Sequence, residues 1–181
     1  DDACVCGRFC HRDRCRCCHG VLQVVWAVSW RIVIDGPSGA GKTTLAQLLA
    51  DKIGAEVIHL EDMYEGWTGM AQGAQIAQEL LTGERDSYQI WDWETSTRAD
   101  IVEPNRQANW VVEGCGALNA TTAQCADVRI WVETDPDEAR ERGLARDGAP
   151  YHQWWEVWNR QEREHWEKND PRNLADVVVR T

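Results

Sequence analysis

The sequence predicts a doubly wound, three-layer α/β domain around a mainly parallel five-stranded sheet. Short β-branched runs recur with helical stretches between them, and a glycine-rich turn follows the first run directly and opens a helix. No internal repeat or long low-complexity linker breaks the pattern. At 181 residues the chain has room for one such domain with a sizeable core, plus an appendage.

Residues 31–35 form the first β-branched run and read as a buried strand. The spacing then predicts a helix over 43–53, with Leu45, Leu48, Leu49 and Ile53 on one face and Gly54 as its stop. A second strand is expected at 56–60, and a helix at 69–81 in spite of Gly73, a poor helix former. Third and fourth strands are expected at 110–113 and 128–133. Asp135, Pro136 and Glu138 then mark a helix start, as cap, first-turn proline and capping-box acid, for a helix running through Arg146. A last, Trp-rich helix is expected over 151–168, halted before Pro171, and a fifth strand at 176–180. Strands alternating with helices imply a parallel sheet whose ligands bind at the carboxyl ends of its strands.

Residues 1–29 read differently. Cys4, Cys6, Cys10, Cys15, Cys17 and Cys18 crowd this segment, and only Cys115 and Cys125 lie beyond it. With His11 and His19 the cluster could bind zinc, but its spacings do not reproduce the paired C-x2-C of zinc modules. The segment is read as a disordered leader or an extension outside the natural domain, which spans 30–181. The apolar stretch 21–30 is too short to span a membrane and is interrupted by Gln23 and Ser29. It also lacks a clear cleavage site, so the chain is expected to be soluble and cytoplasmic. A net charge of -11 opposes a nucleic-acid footprint, yet a few aimed amides, one lysine and a metal ion can neutralise a small phosphorylated ligand.

Such a site is written at Gly36-Pro37-Ser38-Gly39-Ala40-Gly41-Lys42-Thr43, a full G-x-x-x-x-G-K-[ST] match between strand and helix, with Thr44 next in the phosphate-binding stretch. The glycines let backbone N–H groups converge on phosphate, Lys42 reaches the transferred phosphate, and Thr43 can ligate Mg2+. ATP and Mg2+ are therefore the expected cofactors, and a small hydroxyl compound the expected partner.

Three further groups fit phosphoryl transfer. Glu113, ending the strand at 110–113, is the candidate second metal ligand, in the Walker B position. Glu61 and Asp62 follow the second strand, where one carboxylate could act as base toward an acceptor hydroxyl; the alternative is a solvated acidic loop. Arg142 and Arg146 share a helix face at i,i+4, with Arg140 nearby, and could close over phosphate; the alternative is an ion network with Glu138 and Glu141.

These motifs together resemble the uridine kinase and nicotinamide riboside kinase branch of P-loop kinases, from about Arg31 to the end. Glu61-Asp62-Met63-Tyr64 is similar to that family's D-D-F-Y segment, which implies a base at Glu61 or Asp62 and an acceptor-contacting Tyr64. Trp91-Asp92-Trp93-Glu94-Thr95-Ser96-Thr97-Arg98 resembles its Y-D-F-x-x-H-x-R segment, which implies acceptor contacts from Asp92, Trp93 and Arg98, with Ser96 in place of the histidine that reads a pyrimidine. The run 142–147 is similar to its R-x-x-x-R-D lid, and 175–179 to its A-D-x-V-I strand; the sequence stops at Thr181, short of the loop that borders adenine there, which implies weakened nucleotide affinity. The opening at 34–42 also resembles cytidylate kinases. The reading is therefore an ATP- and Mg2+-dependent phosphotransferase acting on a nucleoside-like hydroxyl compound, with a cytidylate-like monophosphate kinase and a nucleotide-binding regulatory module as alternatives. A GTPase is disfavoured because no N-K-x-D motif follows the fourth strand.

Overall fold

A computed structural model describes residues 29–181; the Cys-rich leader assigned to 1–29 lies, apart from Ser29, outside the described residues. Arg31–Asp35 (β1) enters the phosphate-loop motif, Lys42–Ile53 (α1) leaves it, and Ala55–His59 (β2) returns to the sheet. Two single 3-10 turns, at Leu60–Asp62 and Gly66–Thr68, lead into Met70–Thr82 (α2). Tyr88–Asp92 (β3) and Thr97–Val102 (β4) form an antiparallel hairpin, followed by Asn109–Glu113 (β5), Ala120–Cys125 (α3) and Val128–Glu133 (β6). Pro136–Asn169 (α4), Pro171–Leu174 (α5) and Val177–Arg180 (β7) complete the described chain.

The main sheet has the order β2-β5-β1-β6-β7, and every pair in it is parallel. The five strands expected from the β-branched runs are the five strands of this sheet. Parallel strands covered on both faces need apolar residues on both, and β1 has them: Val33 points to one face, Ile32 and Ile34 to the other. On the second face α1 packs against Ile34, Val111 and Val132. On the first, α2, α3 and the second half of α4 enclose Val33, Trp110, Val112, Leu80, Leu118 and Trp158.

The buried stripe of α1 differs from the expected leucine face. Ala46 and Ala50 are its buried centre, Leu45 and Leu49 flank it, and Leu48 is 59% exposed. Alanines let the helix axis approach the sheet closely, so the leucines are pushed to the sides of the contact.

The helices expected at 136–146 and 151–168 are joined in α4, which is broken at Gly148 (φ 68, ψ -154). Asp135 caps it, accepting from the Asp137 and Glu138 amides at 2.9 and 3.3 Å. The expected capping box does not close, because the Glu138 carboxylate turns to Arg142 instead. Helix α3 and the β3–β4 hairpin are additions to the expected elements. The hairpin belongs to its own two-stranded sheet, and its turn carries Ser96 at φ 54. Among the described residues no helix is long and apolar enough to cross a membrane.

Candidate active site

The carboxyl ends of β1, β2 and β5 converge on the phosphate-loop motif. The loop is pressed between neighbours that leave no room for side chains: a Cβ on Gly36 would lie 2.2 Å from the Val132 carbonyl oxygen, and one on Gly39 would lie 2.0 Å from that of Ala139. Both glycines also hold positive φ, 153° and 82°. No side chain caps the start of α1, so its first-turn amides stay available to an anion beside the positive end of the helix dipole.

Lys42 begins α1 and is almost wholly buried. Its Nζ donates to the Pro37 carbonyl at 2.8 Å and lies 3.3 Å from Cys115 Sγ. Burial opposes its charge, but the Cys115 sulfur and the carboxylates of Glu113, Glu162 and Asp35 outweigh it, so the ammonium is held above its ordinary range. Burial pushes the Cys115 thiol far up, which keeps it protonated near neutral pH.

Glu113 ends β5 and is also buried. Its Oε1 accepts from Thr43 Oγ1 at 3.1 Å and lies 2.6 Å from His59 Nδ1. The pairing with His59 follows from strand register, since His59 and Glu113 sit opposite one another on β2 and β5. Burial alone would raise the Glu113 carboxyl, but the hydrogen bond from His59 and the charge of Lys42 leave it below its ordinary value. The same bond raises His59. Thr43 and Glu113 thus bring two hard oxygen donors together beside the loop. That set suits Mg2+, which takes few protein ligands and completes its shell with phosphate oxygens and water.

A cavity of about 380 Å³ opens from this point. Ser38, Lys42, Thr43 and Glu113 line it on the phosphate-loop side. Glu61, Tyr64, Trp67, Trp93, Trp158 and Arg146 complete the lining. The Tyr64 hydroxyl donates to the Cys115 carbonyl at 2.8 Å, which fixes the ring in the wall. Trp67 meets Trp93 at 5.0 Å between centroids, stacks near-parallel on Trp154 at 6.5 Å and meets Trp158 edge-on at 6.5 Å. The tryptophans of α4 therefore serve both the core and the cavity wall.

The adjacent acids part company. Glu61 faces the cavity, whereas Asp62 is half-buried away from it, its carboxyl pushed up by burial and drawn back by His59. The two arginines part as well. Arg146 lines the cavity, while Arg142 donates to Thr181 Oγ1 at 3.1 Å and pairs with Glu138. Arg140 lies over the Trp155 ring at 6.0 Å. Thr44 is exposed on α1.

In the segment 91–98 only Trp93 and Glu94 reach the cavity. Asp92 Oδ1 accepts from the Glu94 and Thr95 amides at 2.8 and 3.2 Å, bracing the hairpin turn. Arg98 donates to the Gln89 carbonyl at 3.1 Å and to Glu65 at 3.3 Å. Ser96 sits exposed in the turn.

Four polar residues that the motifs do not mark complete the site. His59 has been described. Asp35 is fully buried: Oδ1 accepts from the Gly36 and Gly116 amides at 2.7 and 3.0 Å, and Oδ2 accepts from Leu118 at 2.9 Å, tying the phosphate loop to the turn after β5. His165 Nε2 lies 3.2 Å from Asp35 Oδ2. Glu162 Oε1 accepts from the Ser38 amide at 2.7 Å. The signal available for the last two is their spacing from Trp158, at i+4 and i+7 on one helix face.

With this geometry in place, a family model described as an AAA domain matches residues 32–169, three quarters of the chain. The chain belongs to that AAA domain family. Similar proteins of this AAA domain chain include the cytidylate kinase of Archaeoglobus fulgidus, 28% identical over 118 residues, covering 65% of this chain and 62% of the relative. The cytidylate kinase of Ignicoccus hospitalis is 29% identical over 138 residues, covering 75% of each. The uridine kinase of Halobacterium salinarum is 32% identical over 143 residues, covering 66% of this chain and 63% of the relative. The chain thus spans about three fifths of the length of the Archaeoglobus and Halobacterium proteins. Among solved structures, a possible uridine kinase from Bacillus stearothermophilus superposes with a TM-score of 0.54 at 21% identity, covering 83% of this chain and 88% of that one. Shikimate kinase from Acinetobacter baumannii gives 0.51 at 18%, covering 87% and 86%. These likenesses bear out the P-loop α/β fold of the AAA domain chain and the motif resemblance to P-loop kinases.

Proposed function

We propose that the chain is a P-loop kinase that transfers the γ-phosphoryl group of ATP to a hydroxyl of a small, unphosphorylated, nucleoside-like molecule. The observation that carries this reading is one cavity in which Lys42, the Thr43–Glu113 pair and Glu61 meet an aromatic wall of Tyr64, Trp67, Trp93 and Trp158. The loop from Gly36 to Thr43, with Thr44, and the amides opening α1 bind the nucleotide phosphates, and Lys42 neutralises the transferred group. Thr43 and Glu113 hold Mg2+, which supplies charge neutralisation at the phosphate oxygens when bound. Glu61 takes the proton of the acceptor hydroxyl as its oxygen bonds to phosphorus and ADP departs. Arg146 stabilises the charge developing on the phosphoryl oxygens, and Arg142 fixes the helix that presents it. Tyr64 and Trp93 bound the acceptor, while Asp92 and Arg98 hold the hairpin that presents Trp93.

A second reading follows from the cytidylate kinase names of the Archaeoglobus and Ignicoccus relatives, namely transfer to a nucleoside monophosphate. Charge favours the first. Lys42 and Arg146 are the cationic residues among the described lining residues, against the three acids Glu61, Glu94 and Glu113. A phosphate-bearing acceptor would add two negative charges there.

The test is ATP consumption by the purified chain with Mg2+, screened against nucleosides, nucleoside monophosphates and other small hydroxyl compounds. Stimulation by an unphosphorylated compound, abolished by Lys42→Ala with the circular dichroism spectrum retained, is the expected result. Stimulation by monophosphates alone would replace it with the second reading. Mg2+-dependent ATP binding without stimulated turnover would make the chain a nucleotide-binding regulatory module.

A further inference from the structure

Nothing in the phosphate-loop motif calls for a carboxylate facing the loop. Glu162, in the second half of α4, nevertheless turns one onto it and is 1% exposed. Three donors converge on the single oxygen Oε1: the Ser38 amide at 2.7 Å, Trp158 Nε1 at 3.2 Å and Cys115 Sγ at 3.3 Å. A buried carboxylate beside a site built for anions is costly by desolvation and by repulsion of the ligand. Its retention calls for a compensating role. The short bond from Ser38 supplies one, because it fixes an amide inside the loop that must receive phosphate. Burial pushes the Glu162 carboxyl up, and the charge of Lys42 with the bonds from Ser38 and Cys115 draws it part of the way back.

The placement of Ser38 gives that bond its leverage. Gly36 and Gly39 on either side of it are already pressed against the Val132 and Ala139 carbonyls, so the Ser38 amide is the point where the loop's orientation is set by α4 beyond Gly148. Three residues on from Glu162, His165 reaches Asp35 at the entrance to the loop. The first half of α4 meets the loop at Ala139 and carries Arg146; the second half meets it at Glu162.

We propose that Glu162 is a positioning residue of the phosphate site: its carboxylate oxygen holds the Ser38 amide so that the loop keeps the form that receives the nucleotide. This rests on the reading of the loop as an ATP site, but it does not depend on the identity of the acceptor.

Calorimetric titration of the full chain with ATP and Mg2+ tests it with no acceptor present. Glu162→Gln keeps an oxygen of the same reach and loses the charge, whereas Glu162→Asp keeps the charge and falls one methylene short of Ser38. The Asp variant is expected to bind ATP about tenfold or more weakly than the parent, and the Gln variant no more than about threefold more weakly. Once an acceptor is known, the loss in the Asp variant should appear in the KM for ATP and leave the KM for acceptor unchanged. The reverse order of the two variants, unchanged affinity in both, equal loss in both, or tighter binding in either would overturn the proposal; tighter binding would make the carboxylate a competitor of phosphate. A parent chain that binds no ATP would overturn it together with the reading of the loop. A parent that binds ATP but is stimulated by no acceptor would count against the kinase reading alone.

Discussion

Thr43 Oγ1 donates to Glu113 Oε1 across 3.1 Å, and through that bond the first turn of α1 meets the end of β5. The contact joins two residues 70 positions apart, each of which offers a hard oxygen. Replacing Glu113 by Gln keeps its shape and removes its charge. The Mg2+ concentration for half-maximal turnover should rise about tenfold or more, with ATP held saturating. A magnesium titration that leaves this concentration unmoved would remove Glu113 from the metal site.

Glu61 and Asp62 are neighbours in sequence, but only Glu61 faces the cavity. Glu61→Gln should lower the single-turnover rate by about a hundredfold or more, and Asp62→Asn by no more than about threefold. Equal effects would show that position after β2, and not access to the acceptor, is what the two share.

Gly73 is a weak residue for a helix interior, and the structure gives its reason. A Cβ there would lie 2.5 Å from Cδ1 of Tyr64. Gly73→Ala should displace the Tyr64 ring from the cavity wall, costing about 1–3 kcal/mol in urea unfolding. The KM for the acceptor should rise, because the displaced ring is part of the cavity wall. An alanine variant of unchanged stability and KM would mean that α2 moves aside freely.

Glu133, at the end of β6, bonds Arg172 and Arg180 at 2.8 Å each, and these two hydrogen bonds draw its carboxyl down from an ordinary 4.5 to about 2. A carboxyl lowered by folding contributes stability that is complete above its unfolded pKa and is lost as the pH falls through its folded one. The melting temperature of the parent should therefore exceed that of Glu133→Gln near neutral pH, with the difference closing between 4.5 and about 2. The Glu133 side chain is partly open to solvent, so added salt should narrow the difference. A difference that persists at the acid end would assign it to packing.

Much of this was legible because residues at the strand ends do double duty. β-branched runs that must be buried on both faces stand out, and the motif at 36–43 places its own strand and helix. The hairpin was hidden for the opposite reason. Its turn over Trp93 to Ser96 contains no glycine, and Ser96 takes positive φ unaided, so the usual punctuation is absent. Helix α3, with six residues, is shorter than two helical turns and cannot show a period; its signal was Asn119 with Thr122 as a capping box. Asp92 and Arg98 were read through a motif resemblance, which carries residue identity but not the direction of a side chain. Glu162 and His165 gave no signal as a motif. Only the three-dimensional return of α4 to the loop makes them neighbours of Ser38 and Asp35.

The hairpin formed by β3 and β4 shares no strand with the five-stranded sheet, yet it places Trp93 and Glu94 in the cavity. On the reading proposed above, one side of the acceptor wall is therefore carried by backbone separate from the phosphate loop, the rest coming from Tyr64, Trp67 and Trp158. On that reading, changes within 88–102 alter one side of the acceptor wall and leave the loop at 36–43 untouched. Grafting that stretch from a relative would measure how much of the acceptor preference that side carries.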